Sequence, residues 1–169
     1  MRLVTSELAS PIGVLALAVD EAGRLRGVSF GEGLKRAMAR EYPGVAMEAG
    51  ETPDAVVAAL ADYFAGDLNA LMRIDWSLDG AVAGEGFQAR VWRALWEAPV
   101  GQTMSYGEMA RRVGEPGAAQ AAGVALNRNP IPLVLACHRV VGADGAMVGF
   151  GGGLERKTWL LRHEGALLI

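Results

Sequence analysis

Three short runs with Val and Leu, broken by turn-forming residues, stand at the start of the chain. Residues 2–8, 14–19 and 25–30 are rich in Val and Leu, and Ser10-Pro11-Ile12-Gly13 and Asp20-Glu21-Ala22-Gly23 separate them. That spacing predicts three strands in an antiparallel meander. Residues 33–42 read as a short helix. Thr52-Pro53-Asp54 supplies an N-cap, a first-turn Pro and an acidic first turn, and opens a helix through Ala65 that Gly66 stops. Residues 74–78 read as a last strand. The stretch 79–86 is Gly-rich and has no period, so a domain boundary falls there. It separates an α/β domain, 1–83, from a second domain, 84–169.

From Phe87 the period becomes helical. Phe87, Val91, Ala94, Leu95 and Ala98 recur at three- and four-residue steps until Pro99-Val100-Gly101. Ser105-Tyr106-Gly107-Glu108 has the form of a capping box and opens a helix through Val113. Gly114-Glu115-Pro116-Gly117 is a turn, and residues 117–128 form a second short helix that ends at Asn129-Pro130. An apolar run, 131–136, leads to Cys137-His138-Arg139; on a strand Cys137 and His138 would point opposite ways, so a direct contact between them requires a turn or a bridging water. A Gly-rich loop, 149–153, precedes a last helix over 154–163. The four Trp fall on apolar faces and read as core residues.

Hydrophobic residues make up 51% of the 169 and charged ones 21%, the balance of a folded globular protein. No apolar run is long enough to span a bilayer, and no secretory leader is evident, so a soluble cytoplasmic protein is expected. One Cys excludes an internal disulfide, and with two His it makes a metal centre an unexpected feature. The net charge of −3 argues against nucleic acid as a partner until its distribution is considered. Residues 1–83 carry 7 basic and 12 acidic side chains, whereas 84–169 carry 9 basic and 7 acidic, eight of the nine being Arg. An anionic partner is therefore expected on the second domain.

Two segments there carry candidate chemistry. Residues 108–128 read as a helix-turn-helix or as an ordinary helical hairpin. The second helix is nearly bare: Ala118, Ala119, Ala121, Ala122, Gly123 and Ala125 leave Gln120 early, and Asn127 and Arg128 at its end, as the long side chains. Such a helix packs against a neighbour or lies with close backbone approach against a narrow groove. Cys137 reads either as a buried structural thiol or as a nucleophile. For the second role His138 and Arg139 supply a base and a cation, and Glu164 is a candidate to orient His138.

Ala136-Cys137-His138-Arg139-Val140 closely resembles the active-site motif of the O6-alkylguanine-DNA alkyltransferases. Residues 99–108 resemble the segment that leads into the family's helix-turn-helix. Asn129-Pro130 and Pro132 precede the cysteine at the family's spacing, and residues 152–165 resemble its C-terminal helix. The resemblance covers about residues 86–165. It implies an RNase H-like N-terminal domain, a winged helix-turn-helix C-terminal domain, and a monomer without cofactor or metal that acts on double-stranded DNA containing alkylated guanine.

The activity so implied is irreversible, single-turnover transfer of the alkyl group from O6-alkylguanine to Cys137, with O4-alkylthymine as a further substrate class. A non-catalytic sensor of alkylated bases is the alternative. By the same resemblance His138 acts on Cys137 through a water, Glu164 polarises His138, and Tyr106 donates a proton towards guanine N3. Ala119, Gln120, Gly123 and Arg128 meet the DNA, while Asn129, Arg139, Val140 and Gly151 form the substrate pocket. Three positions depart from the family pattern. Gln120 stands where the family has an Arg that enters the gap left by the flipped base, Ala136 replaces Pro, and Gly151 stands where many relatives have Ser.

Overall fold

The computed structural model describes residues 1–145, 150 and 152–167. The chain divides into two compact units, Met1–Gly84 with Pro130–Val134, and Glu85–Asn129 with Leu135–Ile169. The first break, between Gly84 and Glu85, falls within residues 79–86, the stretch at which the sequence reading sets its boundary. The return of Pro130–Val134 to the first unit has no counterpart in that reading.

In the first unit, β1 (Arg2–Ser10), β2 (Gly13–Val19) and β3 (Leu25–Phe30) form the expected antiparallel meander. The Ser10 hydroxyl donates to the Gly13 carbonyl and fixes the first turn. Asp20 Oδ1 accepts from the backbone of Ala22 and Arg24 and fixes the second. Helix α1 (Leu34–Glu41) follows, and its Leu34 and Met38 pack with Leu3, Ala18 and Tyr42. Gly27 lies directly beneath Met38, where a Cβ would come within 2.6 Å of the Met38 methyl, so β3 carries no side chain at that point. A fourth strand, β4 (Ala46–Ala49), pairs parallel to β1 and gives the sheet order β3-β2-β1-β4.

Helix α2 (Asp54–Phe64) starts where expected, but Thr52 does not cap it. Its hydroxyl is bonded to Ser6, and Pro53 occupies the N-cap. Residues 74–78 are not a strand; they contribute one isolated bridge, Leu25 to Trp76. The outer edge of β3 is occupied by that bridge and by Pro130, whose carbonyl accepts from Val28 N at 2.9 Å. Edge groups that would otherwise be unpaired are thereby satisfied.

The second unit is mainly helical. It contains α3 (Phe87–Leu95), α4 (Tyr106–Arg112), α5 (Ala119–Asn127) and α6 (Leu154–His163), with a two-stranded parallel pair, β5 (Met104–Ser105) and β6 (Val140–Val141). Ser105 caps α4 by accepting from Glu108 N at 3.1 Å. Trp92 is fully buried and donates its indole N–H to the Ala125 carbonyl at 2.7 Å, tying α3 to α5. The other three Trp are half-buried, so only Trp92 is a core residue in the full sense. No described helix is long and apolar enough to cross a membrane.

Candidate active site

The site begins with a turn. Cys137–Arg139 form a single 3-10 turn rather than a strand, and Arg139 N donates to the Ala136 carbonyl. A strand would send neighbouring side chains to opposite faces; the turn removes that obstacle between Cys137 and His138. Upstream, Leu133 is held at φ 75°, a conformation costly for a non-Gly residue, in the segment that delivers the cysteine. The Asn129 amide donates to the Leu135 carbonyl at 2.7 Å and also hydrogen-bonds the Cys137 sulfur, so one side chain braces the approach and touches the thiol.

Behind the turn lies a buried network. His138 Nε2 is 2.8 Å from Glu164 Oε2, with both side chains fully buried. Arg139 Nε donates to Glu164 Oε1 at 2.9 Å, Nη2 to Oε2 at 3.1 Å, and Nη1 to the Ala98 carbonyl at 2.6 Å. Glu164 sits at the C-cap of α6. Gly101, at φ 82°, passes so close that a Cβ there would be 3.2 Å from the Glu164 carbonyl. The positive φ favours glycine at that position, and a side chain would also press on the Glu164 carbonyl.

The electrostatics follow from the burial. Desolvation alone would raise the Glu164 carboxyl, but His138 and Arg139 override it and hold the group far below the usual carboxylate range. Burial lowers the His138 imidazolium, and its neighbours Arg139 and Lys157 add to the effect against the pull of Glu164. The ring is therefore neutral at pH 7, with Nε2–H donating to a carboxylate. Its other nitrogen, Nδ1, is buried, has no partner within the described residues, and carries the basic lone pair. Burial pushes the Cys137 thiol up to about 11, against the hydrogen bond from Asn129 and the charge of Lys157. The resting group is a thiol that needs a base, and a base is next to it in sequence.

Residues 86–166 match the family model described as 6-O-methylguanine DNA methyltransferase, DNA binding domain. Over 174 aligned residues the chain is 41% identical to a methylated-DNA–protein-cysteine methyltransferase of Salmonella typhimurium, covering all of this chain and 99% of its relative. The chain belongs to the methylated-DNA–protein-cysteine methyltransferase family. A Methanosarcina acetivorans methyltransferase of the same name is 43% identical over 93% of this chain and 95% of its own length. Among solved structures, that of Mycobacterium tuberculosis OGT in complex with DNA superposes with a TM-score of 0.75 at 36% identity, covering 98% and 94% of the two chains.

In this methyltransferase the residues expected from sequence are only partly brought together. Cys137, His138, Arg139, Glu164 and Asn129 form one connected group. Tyr106, half-buried at the start of α4, is raised by burial and by the nearby Cys137 charge, which places it within electrostatic reach of the sulfur. Val140 is fully buried and its carbonyl accepts from Lys157 Nζ at 2.7 Å. Arg139, expected on the pocket wall, has its side chain bonded instead to Glu164 and Ala98 behind the turn. Gln120 on α5 and Arg128 at its C-cap are exposed, and Ala119 and Gly123 are half-buried. A Cβ at Gly123 would meet nothing within 4 Å, so no contact within the chain demands glycine there. Gly151 lies outside the described residues, as does Gly149 of the same loop.

Lys157 is the site residue that pattern reading missed. It is fully buried, and burial lowers its ammonium while the Cys137 charge raises it. A lysine in an amphipathic helix normally reads as surface; only its position on the buried face with Leu160 and Leu161 gives a signal.

Proposed function

We propose that this chain reverses O6-alkylguanine damage in double-stranded DNA by moving the alkyl group irreversibly to Cys137, one event per molecule. The observation that carries the residue roles is the neutral His138 whose Nε2 is committed to Glu164 while Nδ1 remains basic. Through a bridging water, Nδ1 takes the Cys137 proton. Sγ forms a bond to the alkyl carbon as the carbon–O6 bond breaks, and the released electron pair goes to the guanine. Tyr106 passes a proton to N3 as that charge develops, and regains one by way of solvent from His138. The thiol proton thus ends on guanine and the protein keeps a stable thioether. Arg139 holds Glu164 in place, and Lys157 favours the thiolate as it forms.

This reading takes 1–83 as an RNase H-like α/β domain, which the β3-β2-β1-β4 order with a parallel fourth strand supports. It takes 84–169 as a winged helix-turn-helix that carries both DNA contact and chemistry. The bare α5 enters the groove, Ala119, Gly123 and Arg128 meet the duplex, and Gln120 fills the gap left by the extruded base. Val140 and the 149–153 loop, Gly151 included, form the pocket around it. The protein works as a monomer in the cytoplasm, where a reducing environment keeps its single thiol available.

Intact mass after incubation with an equimolar O6-methylguanine duplex tests the proposal. One methyl should appear on the peptide that contains Cys137, and excess DNA should add no second. DNA binding without any added mass would make the chain a sensor, and repeated turnover would make it a different enzyme.

Gln120 gives a separate expectation. Extruding a base costs a few kcal/mol, part of which is offset by whatever fills the hole. Gln reaches nearly as far as Arg but brings no charge to an anionic duplex. Gln120→Arg should tighten duplex binding without slowing transfer. Gln120→Ala should slow transfer from duplex DNA more than from free O6-benzylguanine, which needs no extrusion. Equal losses on both substrates would assign Gln120 to the fold.

A further inference from the structure

Among the described residues, four Lys and Arg side chains make no hydrogen bond, ion pair or other charged contact, and they form two adjacent doublets, Lys35-Arg36 and Arg111-Arg112. The second doublet lies in the unit matched by the family's DNA-binding domain, on the exposed side of α4. The arginines of α3 are already paired: Arg90 is bonded to Val113 O and Glu115, and Arg93 to Glu85. Charge left without a partner next to the α4–α5 turn is complementary to a polyanion.

The two members of the doublet are not equivalent. Arg112 stands four residues after Glu108, an exposed carboxylate at the spacing that opposes its charge along a helix. Arg111 stands four residues after Gly107 and has no such neighbour. Its side chain runs back along α4, as helical side chains do. A Cβ at Gly107 would lie 3.6 Å from Arg111 Nη1 and 3.8 Å from Ser105 Oγ. The guanidinium is therefore carried to the beginning of α4, one residue along the chain from Tyr106. A base swung out of the stack pivots on its own backbone, so the phosphates flanking it must sit beside the groups that receive the base.

We infer that Arg111 binds a backbone phosphate flanking the flipped nucleotide and so positions the alkylated base for Cys137. It is a positioning residue that supplies charge on α4 where Gln120 supplies none on α5. The inference rests on the alkyl-transfer reading above.

The test uses the full chain with Arg111→Gln, Arg111→Lys and Arg112→Gln. Affinity for an O6-methylguanine duplex is measured by fluorescence anisotropy across a salt series, and alkylation of Cys137 by free O6-benzylguanine is followed in parallel. Arg111→Gln should weaken duplex binding about tenfold at about 50 mM salt and lower the log–log salt slope by about one. Arg111→Lys should recover the slope, and Arg112→Gln should change affinity less than Arg111→Gln does. Transfer from duplex DNA should slow at subsaturating DNA and recover at saturation, while the reaction with O6-benzylguanine keeps its rate. An unchanged slope in Arg111→Gln overturns the inference, as does a full loss in Arg112→Gln alone. An equal fall on O6-benzylguanine also overturns it, by assigning Arg111 to the fold. If the unaltered protein takes no methyl from the O6-methylguanine duplex, the alkyl-transfer reading fails instead, and the salt slope still reports on Arg111.

Discussion

Cys137→Ser should abolish alkyl transfer while leaving duplex binding nearly intact. Loss of a nucleophile that works as a unit with its base costs on the order of a millionfold in rate, which here means no detectable methyl mass. Serine keeps the shape of the site, and its oxygen can accept the hydrogen bond that Asn129 gives the sulfur. The fold should therefore lose only about 1 kcal/mol, the usual scale for a mild buried substitution. His138 stays neutral and basic, but a hydroxyl is far less acidic than even a thiol pushed up to about 11. Intact mass and fluorescence anisotropy on the same preparation give both readouts. Methyl transfer at an appreciable rate by the serine variant would place the acceptor elsewhere and remove Cys137 from the mechanism.

The second large effect is expected at Glu164, and it should reach stability as well as rate. Glu164→Gln preserves volume but leaves the Arg139 guanidinium, which bonds both carboxylate oxygens, buried without its counter-charge. Removing one partner of such a pair costs about 3–5 kcal/mol, visible as a lower urea midpoint. The new amide can also present its N–H₂ to His138, which would turn the ring's basic nitrogen towards that amide and away from the thiol. Single-turnover transfer should fall by at least about a hundredfold, within the range for a general base that is no longer oriented.

Acid should act on the same network. Glu164 is held below its unfolded value, so its contribution is present above about pH 4.5 and is lost as pH falls through the folded value. His138 is also lowered, so its neutral form contributes above about pH 6.5 and that contribution is lost below. Urea midpoints should thus fall on acidification in two stages, and Glu164→Gln should remove the lower one. A midpoint that does not change between pH 7 and pH 2 would show that the network contributes nothing to folding.

Sequence and structure agree best where turn chemistry is local. Helix α6 begins and ends at the expected residues because Gly153 precedes it and Gly165 follows it. The β1–β3 meander is readable because both connections carry residues that bond their own backbone, Ser10 and Asp20. β4 is not, since Ala46–Ala49 is mostly exposed and contributes almost nothing to the core, so its sequence has no apolar alternation to detect. The turn at Cys137 is hidden for the opposite reason. An unbroken apolar run before it has the composition of a strand, and the positive φ at Leu133 that bends the chain leaves no mark in composition.

For the site, the identity of the nucleophile and its neighbours is carried by a resemblance, and the bonds among them by geometry. His138 and Glu164 are 26 residues apart, and no period or spacing connects them. The use of Arg139 as a brace for Glu164, and the burial of Lys157, follow from which face of α6 is covered. That is a tertiary fact, and residue type alone argues the other way.

The segment Pro130–Val134 belongs to the first unit although chain of the second unit lies on both sides of it. The polypeptide therefore crosses between the units three times, and the last crossing starts from Val134, three residues before the reactive thiol. Cutting at Gly84 would not release a detachable catalytic module. It would strip Ile131, Leu133 and Val134 of the partners that bury them and leave the Pro130 carbonyl without Val28. Gene fusion, domain shuffling or truncation at that linker would then uncouple the arm that delivers Cys137, even with every residue of the reaction retained.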